Sequence, residues 1–229
     1  QWDFNRLYKR LLRVGVSQSR HEYHHALGCS ITDTYIHTMT IHKIEGGYLD
    51  GKLLVAMPNM SDPRFQKAVI LLCAHSDTGA MGILLNRSLD ALSFDDLLEQ
   101  LDIPKTDKDS HINIHFGGPV DTERGFVVHS TDILYETTLK IGQDMALTAT
   151  VDMLKTIAGG SGPESSFLAL GYSGWGPGQL EQEIQENGWL VVDPDLDIVF
   201  GPELDLKWEV VIHKLGIDPR LLSGDVGHA

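Results

Sequence analysis

The stretch that most constrains the fold runs from Gly171 to Glu183, Gly-Tyr-Ser-Gly-Trp-Gly-Pro-Gly-Gln-Leu-Glu-Gln-Glu. Four glycines and one proline fall within its first eight residues. Glycine permits positive φ and close backbone approach, while proline fixes its own φ and gives up a donor. A regular helix or strand is therefore not expected across 171–178. The apolar run Phe167–Leu170 before it predicts a buried strand. Gln179–Asn187 after it predicts a helix that Gly188 stops at C′. The expected unit is a strand, an ordered glycine turn displaying Trp175 or Tyr172, and the start of a helix. Turns of this kind carry sites on rigid scaffolds, but the residues do not name a ligand.

Upstream, the main domain is expected to begin near Gly51, with a strand over Lys52–Met57 closed by Pro58. Ser61-Asp62-Pro63 is a helix-start signature, a capping side chain followed by proline at the first helical position. That helix must be short, because Ala68–Ala74 reads as a buried strand. Gly79–Leu85 reads as its hairpin partner. Ser93 with Asp96 resembles a capping box, and Phe94, Leu97, Leu98 and Leu101 then form one helical stripe of core residues. Thr106–Ser110 is a polar loop. His111–Phe116 alternates as a half-buried strand, broken by Gly117-Gly118-Pro119. The chain resumes as a strand over Gly125–His129 after a loop holding Arg124. Thr148 or Thr150 is expected to cap a helix ending at Gly159-Gly160, and Trp189–Val192 reads as a strand. A last helix carries Trp208, Val211, Ile212 and Leu215, with Asp205 as its cap and Gly216 at C′. Strands and helices interleave without a βαβ rhythm, which argues for α+β over a doubly wound sheet.

Charge divides the chain. Of its formal net charge of −14, residues 1–50 contribute +1 and residues 51–229 contribute −15. Nucleic-acid affinity comes largely from Lys and Arg displacing counterions, so direct nucleic-acid binding by the acidic part is disfavoured. Residues 1–20 place Phe4, Leu7, Tyr8 and Leu11 on one helical stripe with Arg6, Lys9, Arg10 and Arg13 between them. Such a segment suits an anionic membrane surface, a targeting peptide, or simply an appended N-terminal extension. His21, His24 and His25 have no defined spacing to other ligands, so no metal site is expected there. No apolar run reaches the length of a membrane span. Two cysteines, Cys29 and Cys73, fit a reducing compartment, and the expected location is cytoplasmic.

The candidate chemistry is sparse. Cys73 and His75 share a strand face, a spacing that allows a thiolate–imidazole pair or, as readily, a buried cysteine beside a histidine. His111 and His115 lie too far apart along a strand to hold one ion, and both are expected to face solvent. The glycine loop lacks the spacing and the lysine of a phosphate loop. Glu181 and Glu183 near the start of its helix repel an anion unless Arg124 or Arg87 folds in.

Taken together, these motifs resemble one family. Gly51–Phe65, Leu72-Cys-Ala-His75, Gly79-Ala-Met-Gly82, Asn86-Arg87, Gly117-Gly-Pro-Val120, Arg124-Gly-Phe126, His129, Leu147–Thr150 and Gly171–Glu181 occur in the order and spacing of the AlgH (YqgE-type) bacterial proteins. The resemblance spans about residues 51–228 and leaves 1–50 as an N-terminal extension. Ser88 departs from it, standing where the family usually has proline, and the acidic 193–197 loop is variable. The resemblance implies a single α+β domain with a branched, partly barrel-like mixed sheet surrounded by helices. It implies no established reaction; the family name comes from a proposed role in regulating alginate production. The expected function is a non-catalytic binding or regulatory domain for a protein partner or small ligand, without cofactor or metal. The alternative is an enzyme using Cys73 and His75 with Arg124 as anion-binding residue. The candidate ligand-binding set is Asn86, Arg87, Gly117, Gly118, Arg124, Gly171, Tyr172, Trp175, Gln179 and Glu181. It is expected to converge on one concavity, with Arg124 pairing Glu181 or Glu183 or meeting an anionic ligand.

Overall fold

Strands that run apolar without alternation must be covered on both faces, and the first three are. In a computed structural model that describes residues 47–104 and 111–218, β1 (Leu53–Ala56), β2 (Val69–Ser76) and β3 (Gly79–Leu84) pair antiparallel in succession. Every residue of the three is buried except Ser76. The N-terminal amphipathic stripe, its histidines and the polar 106–110 loop lie outside the described residues. Between β1 and β2 the predicted short helix is a 3-10 turn, Pro63–Phe65, capped by the Asp62 carboxylate accepting from the Arg64 N–H at 2.9 Å.

Helix α1 (Phe94–Gln100) has the full capping box. The Asp96 N–H donates to Ser93 Oγ, and the Ser93 N–H donates back to the Asp96 carboxylate. Its buried stripe is narrower than the pattern predicts, with Phe94 and Leu98 inside and Leu101 exposed. Then come β4 (Asn113–Phe116), β5 (Val120–Ser130), β6 (Leu139–Ile141), β7 (Met145–Thr148), α2 (Val151–Ala158), β8 (Ser166–Trp175) and α3 (Gln179–Gln185). Strand β9 (Trp189–Val192) and helices α4 (Leu196–Phe200) and α5 (Lys207–Lys214) complete the described chain. The sheet order is β6-β7-β5-β8-β3-β2-β1-β9, with β4 branching off as a parallel partner of β8. The architecture is α+β, a curled half-barrel sheet with helices around it. The short β6–β7 hairpin and α4 are elements that the sequence pattern does not single out.

Five expectations are corrected. The Gly171–Trp175 segment is strand, because Gly171 takes φ +74° as a local kink and pairing resumes at Tyr172. Only Gly176–Gly178 is a turn, and the αL residue after α3 is Asn187, with Gly188 one position beyond it. Arg124 sits within β5, in a bulge between Val120 and Gly125, and not in a loop before the strand. His115 is buried, its ring stacked on Phe167 of β8 and close to Lys207 of α5, so the face that the alternation leaves to solvent is covered. Finally, Asp205 belongs to a 3-10 turn, and the N-cap of α5 is Leu206.

Candidate functional site

Strands β4 and β5 both pair with β8, and Leu168 is the partner of Ile114 on one side and Val127 on the other. The link between them, Gly117–Pro119, must therefore cross β8. It crosses at Gly171, backbone against backbone. A Cβ on Gly117 would lie 2.3 Å from the Gly171 oxygen, and one on Gly118 would lie 2.2 Å from the Tyr172 carbonyl carbon. A Cβ on Gly171 would meet the Gly118 oxygen at 2.4 Å. No side chain fits such spacing, which is the reason for glycine at all three positions. The structure thus brings these predicted residues together, but the space between them is filled by their own backbones.

Asn86 and Arg87 are also committed to the fold. The buried Asn86 side chain accepts from the Val69 N–H at 2.9 Å and donates to the Lys67 carbonyl at 2.8 Å. Arg87 donates to the carbonyls of Asn86 and Gln66 at 2.9 and 2.5 Å. Together they staple the turn before β2 to the end of β3.

Cys73 and His75 do not form a nucleophile–base pair. The Cys73 thiol donates to the Leu71 carbonyl at 3.4 Å, and burial pushes its pKa strongly up. Both ring nitrogens of His75 are engaged elsewhere. Nδ1 accepts from the Leu49 N–H at 3.0 Å, so Nε2 carries the proton it donates to Glu181 at 2.8 Å. Glu181 is therefore the partner of His75 and not of Arg124. The Arg124 guanidinium lies 5.3 Å from the Phe126 ring centroid, two residues along the same strand. The pKa of the Tyr172 phenol is raised by burial and by Asp121, with Arg124 opposing.

Trp175 and Gln179 do line a cavity. It is a cleft of about 410 Å³ bounded by the Pro63–Phe65 turn, Pro119–Val120, the end of β8, α3 and the start of β9. Glu183 also lines it, a residue expected from the sequence to repel an anion near the helix start or to pair with Arg124. Its Oε2 accepts from both indoles, Trp175 Nε1 at 2.9 Å and Trp189 Nε1 at 2.8 Å. Its Oε1 accepts from the Gln179 amide at 2.9 Å. The two tryptophans meet edge to face at 6.0 Å and 81°, and Phe65 packs edge-on against Trp189 at 5.8 Å. Trp175 is thus buried, against the expectation of display, and so is Tyr172. On the rim, Arg64 holds Asp62 through Nε at 3.0 Å and NH2 at 2.6 Å, its guanidinium 5.7 Å from the Phe65 centroid.

The pattern missed Trp189, Asp62 and Arg64 because they belong to other segments of the chain. The Gln179–Glu183 spacing of one helical turn was the available signal. The cleft's charged lining is one arginine and three carboxylates, Asp62, Glu183 and Glu186. Among the described residues no group of three His, Cys, Asp or Glu side chains is placed to hold a metal ion. Nor is any helix there long and apolar enough to cross a membrane.

Comparison with known proteins agrees with this architecture. Residues 53–220 match the model of a family described as AlgH-like. A protein of Rhodopseudomonas palustris designated UPF0301 is 51% identical over 193 residues, 81% of this chain and 88% of its own. A UPF0301 protein of Bradyrhizobium diazoefficiens is 53% identical, covering 80% of this chain and 89% of its own. Among solved structures, the AlgH protein of Pseudomonas aeruginosa matches with a TM-score of 0.65 at 41% identity, over 82% of this chain and 100% of that one. A Corynebacterium diphtheriae protein shares the fold with a TM-score of 0.62 at 22% identity, over 78% of this chain and 93% of its own. On the glycine crossing, the branched sheet and these matches, the chain belongs to the AlgH-like family.

Proposed function

We propose that this protein is a non-catalytic binding domain with an indirect regulatory role, and that its recognition surface is the Trp175–Glu183–Trp189 cleft. The observation that carries the reading is Glu183. Three N–H groups fix its carboxylate in place beside an open cavity. Preorganised polar groups over an aromatic floor are what a binding site needs, since little entropy remains to be lost on association. The enzymatic alternative draws no support from the interior, where the Cys73 thiol is buried and His75 is saturated by Leu49 and Glu181. The net charge of −15 over residues 51–229 favours a protein or small-molecule partner over a nucleic acid. Work in the cytoplasm and a domain boundary near residue 51 are part of the same proposal.

The test compares partners retained from cell extract by the wild-type protein with those retained by a Trp175→Phe, Gln179→Ala double variant of matched thermal stability. Partners retained by the wild type and lost by the variant support the cleft. Identical profiles, with specific partners on both, sink it.

A further inference from the structure

We infer that the cleft receives an extended, arginine-bearing segment of a partner protein, its guanidinium seated on Glu183 and Glu186. This rests on the reading of the cleft as the recognition surface and adds the class of partner.

The first observation is the charge left over in the cavity. Arg64 is already matched by Asp62 in a fork of short contacts, 2.6 to 3.1 Å. Glu183 and Glu186 remain, three residues apart along α3 and its C-cap, so their side chains share one helix face. Among the described residues Glu183 has only neutral donors, two indoles and one amide. A carboxylate offers about four acceptor sites, so among the described residues one position on Oε1 is left over and no cation is bonded to the carboxylate. Among the described residues Glu186 accepts only the Gln182 amide, at 2.8 Å. The last turn of α3 contains no basic residue, so the negative end of the helix dipole adds to the same field.

The second observation is independent of charge and points to a peptide. Ser173–Trp175 of β8 pairs with β3 along one edge. Along its other edge the pairing with β5 ends at Val120–Tyr172, and the next residue, Pro119, has no N–H to give. Gly174, at this edge, is exposed and lines the cleft together with Pro119. A short strand edge that pairs with no described residue and lines a cavity is a template for an added strand. A segment laid there would run beside α3, which carries both carboxylates.

The third observation is the chain's own demonstration of the contact. Arg64 shows at the rim how this surface holds a guanidinium, with a carboxylate fork on one side and the Phe65 face on the other. Guanidinium suits this geometry better than ammonium because its planar donors match a carboxylate bidentately and stack on aromatic rings.

The experiment titrates the full chain with blocked hexapeptides of arginine, lysine, glutamate and alternating Gly-Ser, followed by calorimetry and tryptophan fluorescence at two salt concentrations. Hexa-arginine is expected to bind, with hexalysine weaker. Glu183→Gln is expected to weaken hexa-arginine at least tenfold and Glu186→Gln several-fold. Asp144→Asn, in the exposed β6–β7 turn, changes the net charge equally and is expected to leave the affinity unchanged. Glu186 is exposed, so E186Q keeps the test decisive if E183Q fails to fold. Equal effects of E183Q, E186Q and D144N would reduce the binding to general attraction and overturn the inference. Preference for hexaglutamate would assign the cleft to anions through Arg64 and overturn it as well. If extract partners depend on Trp175 and Gln179 while hexa-arginine does not bind, the cationic assignment falls and the cleft reading survives. If neither depends on the cleft, both fall.

Discussion

Replacing His115 with phenylalanine removes a titrating ring from the interior while keeping an aromatic ring in place. His115 stacks on Phe167 at 4.4 Å between centroids and 14° between planes, and neither of its nitrogens has a hydrogen-bond partner. Burial, and then the nearby charge of Lys207, lowers its pKa from 6.5 to about 4. A base whose folded pKa is depressed is neutral in the fold while the unfolded chain takes up the proton. Its contribution is therefore intact above pH 6.5 and is lost as pH falls from 6.5 towards 4. The full window is worth about 3.4 kcal/mol at 1.36 kcal/mol per pKa unit, of which about 2 kcal/mol is lost by pH 5. Urea unfolding of wild type and H115F at pH 7.5 and pH 5 measures this directly. The difference in stability between the two proteins is expected to move by about 2 kcal/mol in favour of H115F at the lower pH. Any constant packing change from the larger ring cancels in that comparison. Parallel pH dependences for the two proteins would refute the reasoning.

Other outcomes follow from the same structure. Gly118→Ala places a Cβ about 2.2 Å from the Tyr172 carbonyl carbon at φ +150°, and a loss of more than about 3 kcal/mol is expected in thermal or urea unfolding. In a Cys29→Ser background, Cys73 is expected to react with small alkylating reagents only at the rate of unfolding. It is 2% exposed and burial raises its thiol pKa; fast labelling of native protein would reopen the nucleophile reading. A chain starting at residue 47 is expected to fold. One starting at residue 51 loses the buried Leu49 side chain and its N–H bond to His75, a destabilisation of about 2 kcal/mol by differential scanning calorimetry.

Local chemistry made several elements legible in the sequence. Asp62 before Pro63, the Ser93–Asp96 box, the apolar runs of β2 and β3, and the stripe of α5 each signal their element within a few residues. Gly171 misled because a glycine-rich string is equally a turn or a kinked strand, and only the crossing of Gly117–Gly118 over β8 chooses the strand. His115 misled for a similar reason. An alternating pattern predicts one wet face, and the residues set against His115, Phe167 and Lys207, come from distant parts of the chain. The cleft was the least legible part. Trp175, Glu183 and Trp189 are neighbours in the chain, but nothing in their spacing says that two indoles converge on one carboxylate oxygen. Asp62 and Arg64 join them from more than a hundred residues away. Composition and periodicity report what each segment buries. Which carboxylate meets which donor depends on how distant segments pack, and that was decided only when the sheet curled and β8 passed beneath its own neighbours' connection.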